Sequence, residues 1–167
     1  FEGSGYTETV SDLDPAAIPT DEDPPEELPS ADDVITQLES GDPTEDYSVL
    51  RGLSRIGDAQ LARLMGLWPS LEPERRRELL AKLDQLASEH ALLDFHRIHL
   101  SALHDPDTAT RILAVRGIAI EERPDYLQLL CAQLESDDAA SVRAEIADVL
   151  GKWVVSMEFG LLSDEDA

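Results

Sequence analysis

The chain has 167 residues, a single cysteine and a formal net charge of −23. With no partner thiol for an intramolecular disulfide, stability rests on packing. Nucleic acids and anionic bilayers are gripped by basic surfaces, so neither is expected as a partner, and no run approaches the roughly 20 apolar residues of a membrane-spanning helix.

The charge is unevenly spread. Residues 1–50 carry 15 acids and no Lys or Arg, whereas 51–167 carry 21 acids and 13 bases. Residues 1–29 combine one-signed charge, five prolines and few apolar side chains. Such a segment buries too little surface to offset its ordering entropy, so it is expected to be a disordered acidic leader. No signal-peptide pattern stands out, and together with the cysteine count this leads us to expect a cytoplasmic protein.

Leu and Ala dominate the apolar residues, which favours helix over strand. Ser30-Ala-Asp-Asp33 resembles a capping box and opens a helix carrying Val34, Ile35 and Leu38. Gly41 ends it, and Asp42-Pro43 turns the chain. A second helix, starting near Glu45, carries Tyr47, Val49, Leu50, Leu53 and Ile56 and stops at Gly57. Residues 58–68 form a third, broken by Pro69. Pro73 opens a fourth with Leu79, Leu80, Leu83 and Leu86. The next spans 91–104 and uses Leu92, Leu93, Phe95, Ile98, Leu100 and Leu103. Beyond Asp105-Pro106-Asp107 follows a helix with Ile112, Leu113, Val115, Ile118 and Ile120. Pro124 starts one with Tyr126, Leu127, Leu130, Cys131 and Leu134. The last carries Val142, Ile146, Val149, Leu150, Trp153 and Val154. The reading is therefore all-α, with four antiparallel helix pairs near 31–57, 58–88, 90–121 and 124–158, within a repeat domain spanning 30–162. A short acidic tail, 163–167, follows.

The pairs repeat. Arg111 and Arg143 lie 32 residues apart, and Gln-Leu-Glu-Ser occurs at 37–40 and at 133–136, three such periods apart. A fixed period of this length marks a solenoid, whose units bury their apolar faces against one another. Asp105-Pro-Asp-Thr-Ala-Thr-Arg111 and Asp137-Asp-Ala-Ala-Ser-Val-Arg143-Ala-Glu-Ile-Ala-Asp-Val-Leu-Gly151 resemble the signature of short bacterial HEAT-like repeats. The resemblance is best over 90–158. It implies a right-handed α-α superhelix, with the second helix of each pair lining the concave face. It also implies a structural Arg in each unit: Arg111, Arg143 and, in the second pair, Arg77. Similar proteins include adaptors, assembly factors and bilin-attaching lyases, so no single activity follows.

Few residues suggest chemistry. His96 and His99 are one helical turn apart and are weak candidates for a shared metal, but zinc calls for three or four converging ligands; exposed or turn-facing histidines are the expectation. Cys131 lies within an apolar stripe and is expected to be a small buried residue. No phosphate loop, nucleophile elbow or calcium loop is present. Neither an enzyme nor a cofactor is expected.

Ten of the 13 bases fall on the expected second helices. Arg51, Arg55, Arg75, Arg76, Arg116 and Lys152 would make one groove basic in an otherwise acidic protein. This favours a protein–protein scaffold taking a partner with an acidic segment. The leader would either fold back over that groove as an internal competitor or act as a solubilising spacer. Trp68 and Trp153 are expected to pack between repeats, with Trp153 as an exposed anchor the alternative if the stack stops there; Trp153, Val154, Met157 and Phe159 near the end would then form an exposed face for further repeats or self-association. A catalytic, lyase-like protein and a nucleic-acid-binding repeat are the alternatives. A buried polar cluster around His96 and His99 would favour the catalytic one.

Overall fold

The computed structural model describes residues 29–40, 47–120, 123 and 125–158, the side chains at 157 and 158 excepted. The expectations placed on residues 1–28, on Gly41, the Asp42-Pro43 turn and the helix start near Glu45, and on Pro124, Met157, Phe159 and the 163–167 stretch fall outside them. The described residues are helical, with no strand among them, and no helix is long and apolar enough to cross a membrane.

Helix α1 (Ala31–Ser40) begins as its sequence requires. The Ser30 hydroxyl accepts the Asp33 backbone N–H at 3.2 Å and donates to the Asp33 carboxylate at 2.7 Å. The expected second α-helix is instead a 3-10 helix, Tyr47–Leu53. At three residues per turn, Leu50 and Leu53 stack into the core. Tyr47 stays exposed, with the Lys82 ammonium 3.7 Å above its ring. Arg55, not Gly57, turns the chain: its φ is +52°, a region non-glycine residues seldom occupy.

Helix α2 (Asp58–Leu67) runs into a short 3-10 turn at Trp68–Ser70 that contains Pro69. Pro73 then opens α3 (Pro73–Glu89), where its missing N–H costs nothing. Helix α4 (His96–Ala102) is half the length expected. Residues 91–95 form a turn and coil instead, and Leu92 is 84% exposed. Asp107 caps α5 (Thr108–Ile120) by accepting both the Thr110 N–H and its hydroxyl. Helices α6 (Tyr126–Ser136) and α7 (Ala140–Glu158) complete the chain described.

The helices form two rows. The first 3-10 helix packs on α3, α3 on α5, and α5 on α7. Helices α4 and α6 lie on α5 and α7, while α1 and α2 close the other end. The core runs between the rows from Val34 to Trp153. Trp153 is therefore buried rather than an exposed anchor, because α7 turns it toward the core together with Val142, Ile146 and Val149. Val154 and Val155 do lie on the outer face. Cys131 is exposed: the buried line of α6 runs through Tyr126 and Leu130, and residue 131 is rotated about 100° off it.

A buried ladder of charges ties the units together. Arg76, Arg111 and Arg143 are each the fourth residue of their helix. Arg111 donates to the Asp137 carboxylate through Nε and Nη2 at 3.0 and 2.9 Å, and to the Asp105 carbonyl at 2.9 Å. Arg143 repeats the carbonyl contact on Asp137 at 2.8 Å. In the second unit the equivalent residue is Arg76, not Arg77. Arg76 is buried and lies 3.4 Å from Asp105, whose carboxylate also accepts the Trp68 indole N–H at 2.6 Å. Arg77, one position round the helix, pairs nearer the surface with Glu74 and Asp107. Asp105 and Asp137 are also alike: each accepts the backbone N–H two residues on.

Burial alone would push the Asp137 carboxyl up. Hydrogen bonds from Arg111, the Ala139 N–H and Gln133 outweigh it and hold it at about 2. A depressed carboxyl stabilises the fold fully above its unfolded value and loses that contribution as pH falls through the folded value. Between about pH 4 and pH 2 the fold should therefore lose about 2 kcal/mol through this residue alone. Urea unfolding across that range should show the loss, with a flatter profile in Asp137→Asn. Asp137→Ala leaves Arg111 buried beside an emptied partner and should cost about 3–5 kcal/mol near neutral pH.

Candidate functional site

The turn between α3 and α4 is held by residues 40 positions earlier in the chain. The Asp94 N–H donates to the Ser54 hydroxyl at 3.0 Å, and the Arg55 N–H donates to the Asp94 carbonyl at 2.8 Å. The Asp94 carboxylate also caps α4 through the His96 N–H. These bonds are why the helix starts at His96 and not at Ala91. They also leave Ala91 and Leu92 arched away from the core.

Beneath the arch lies a cavity of about 580 Å³, a size typical of small-ligand and side-chain pockets. Leu93, Phe95 and Ala87 form part of its apolar wall, exposed Leu92 and Ile120 add apolar edges, and Asp84, His99 and Gly117 also line it. Ser88, Ala91 and Asp94 lie in the lining too, and two exposed arginines, Arg55 and Arg123, stand in it together with the carboxylates of Asp84 and Asp94, which are turned to His99 and His96.

His99 is 2% exposed, contrary to the exposed placement expected. Its Nδ1 faces the Phe95 carbonyl at 3.0 Å, and its Nε2 approaches Asp84 Oδ1 to 2.8 Å. That approach is off the direction of a good hydrogen bond, so it is a close charge contact rather than a well-formed bond. The ring lies against Gly117, where an added Cβ would fall 2.1 Å from the imidazole. His96, one turn away, turns to the Asp94 carboxylate and packs near Tyr126. The two histidines thus serve separate aspartates and do not converge. Among the described residues no group of three or more potential ligands could hold a metal ion.

The expected basic groove is largely neutralised by the chain itself. Arg116 makes a two-pronged bond to Glu145 at 2.8 and 2.9 Å, which also holds the Glu145 carboxyl below its usual range. Lys152 pairs with Asp148, and Arg51 reaches His90 at 2.9 Å. Arg75 is engaged as well. Arg76 is sunk in the ladder, out of reach of any partner. Arg55 differs: among the described residues its guanidinium meets no carboxylate, and its backbone is held in a left-handed conformation beside the cavity. Strained non-glycine residues of this kind concentrate at functional positions.

Of the residues expected to contact a partner, the structure brings Arg55 to the cavity under the arch, while Arg51 and Lys152 line two separate hollows, so the six do not form one groove. Sequence reasoning missed Leu92, assigned to a buried stripe, and Arg123, which stood outside the second helices. Only the folded turn shows that they meet. The chain matches no family model, no curated protein and no solved structure.

Replacing Arg55 with Gly should relieve the backbone strain and stabilise the fold by about 1 kcal/mol in urea unfolding. Gly117→Ala should act oppositely, costing about 1–3 kcal/mol as the His99 ring is displaced.

Proposed function

We propose that the chain is a protein-binding scaffold of the HEAT-like solenoid kind, and that it takes an acidic, partly apolar segment of a partner protein at the cavity between α3, α4 and α5. The 32-residue spacing of Arg111 and Arg143, their matching carbonyl contacts and the two rows of helices support the solenoid. The observation that carries the docking site is the Arg55 guanidinium, which meets no carboxylate among the described residues, in one cavity lining with a leucine left 84% exposed. An exposed leucine alone is unremarkable. Set on a cavity with two guanidiniums in the lining, it provides both anchor and steering charge for such a segment.

The His99–Asp84 contact favours a second, catalytic reading, since a buried polar pair in a cavity is a common feature of active sites. Against it, the ring is 2% exposed, its Nδ1 faces the Phe95 carbonyl, and no nucleophile or metal-ligand group converges on it among the described residues. The Ser88 hydroxyl, also in the lining, donates to the Gln85 carbonyl.

Capture from source lysate should be compared between the full chain and an Arg55→Glu, Leu92→Asp double variant. Both side chains are exposed, so the fold should survive, which circular dichroism can verify. A discrete protein retained by the first and lost by the second is the expected outcome. If nothing distinguishes the two, the docking site is wrong.

A further inference from the structure

Resting on the reading of this cavity as a site for acidic segments, we propose that its resident occupant is the chain's own acidic stretch, with Leu13 inserted and Asp12 and Asp14 meeting Arg55 and Arg123. Three observations meet here.

The first is where that stretch joins the fold. Pro29 lies hard against Gly52 of the 3-10 helix: a Cβ there would fall 2.2 Å from the Pro29 carbonyl oxygen and 3.0 Å from a Val34 methyl. Gly52 is three residues from Arg55, so their Cα atoms are at most about 11 Å apart. The acidic stretch is thereby anchored beside the cavity, and the 15 residues from Asp14 to Pro29 reach roughly 50 Å when extended.

The second is charge. Residues 1–28 hold nine acids and no base, while the cavity is lined by Arg55, whose guanidinium meets no carboxylate among the described residues; the lining carboxylates Asp84 and Asp94 are turned to His99 and His96. Among the described residues the other arginine, Arg123, meets a 3.8 Å approach to Asp125 and lies over the Tyr126 ring.

The third is sequence pattern. Leu13 is the one large apolar residue in 1–28 with a carboxylate on each side. In extended backbone, neighbouring side chains point in opposite directions. Leu13 then enters between Ala87, Leu92 and Ile120, and both aspartates remain at the mouth. Because the segment is tethered, its effective concentration is on the order of millimolar. A weak site is therefore filled, and an outside partner has to compete with the chain's own segment.

The test uses the full chain. Cys131 is exposed, so it is replaced by Ser, and a nitroxide label is attached at Thr9→Cys. Amide signals of Leu92, Gly117 and Ile120 should broaden at low ionic strength and recover near 1 M salt, where the screening length is about 3 Å. Arg55→Glu and, separately, Leu13→Asp should each abolish the broadening, and unchanged amide spectra of the α3, α5 and α7 residues in each variant verify that the fold is kept. No broadening, or broadening indifferent to both variants, overturns the proposal. A free peptide of residues 8–18 added to the Leu13→Asp chain tells the two readings apart. If it shifts the cavity amides although the tethered segment never broadened them, the docking site stands and the fold-back falls. If it does nothing, both fall.

Discussion

The fold depends on aspartates placed where one helix pair hands over to the next. Asp105 and Asp137 each fold their own turn by accepting a backbone N–H two residues on, and each receives an arginine from the preceding unit. A carboxylate buried to this degree would be a liability alone, since desolvation disfavours its charge. Bonded on all sides, it sets the register in which one unit stacks on the next. Arg111 shows the economy of this arrangement: one side chain joins Asp105 behind it to Asp137 ahead.

Registration by charge has a consequence for the surface. Arginines consumed by the ladder, or by nearby acids such as Glu145 and Asp148, are unavailable to partners. A row of helices rich in basic residues therefore carries little net positive field. Arg55 differs from these: its backbone N–H is held by the Asp94 carbonyl, and among the described residues its side chain makes no salt bridge.

Much of this was legible in the sequence, and what was not has physical causes. The apolar periodicity of α3 is strong and its four leucines are buried where it places them, whereas in α5 and α7 it holds for Val115, Ile118, Val142, Ile146, Val149 and Trp153 but puts Ile120 and Val154 on a stripe from which the structure turns them out. The cap at Ser30 and the proline start of α3 are local signals and hold. The choice between Arg76 and Arg77 depends on which of two adjacent side chains the helix turns inward, a rotation of about 100° that pattern matching over a single unit resolves poorly. Cys131 beside Leu130 is the same problem. The arch at 91–95 is created by bonds to Ser54 and Arg55, some 40 residues away, and no local propensity encodes a contact at that range. A left-handed arginine likewise gives no warning, since the residue that normally marks such a turn is glycine.

The ladder arginines are 35 residues apart between Arg76 and Arg111 but 32 apart between Arg111 and Arg143. The aspartates of the ladder keep the shorter spacing, so the three additional residues fall between Arg77 and His104, the stretch that holds the longer α3 and the arch over the cavity. An array of equal units offers the same surface at every step and gives a visitor no reason to prefer one. Lengthening a single unit breaks that monotony while the neighbouring units keep their stacking. The added residues are thus taken up in α3 and the arch, while Asp105 and Asp137 keep the same contacts on either side.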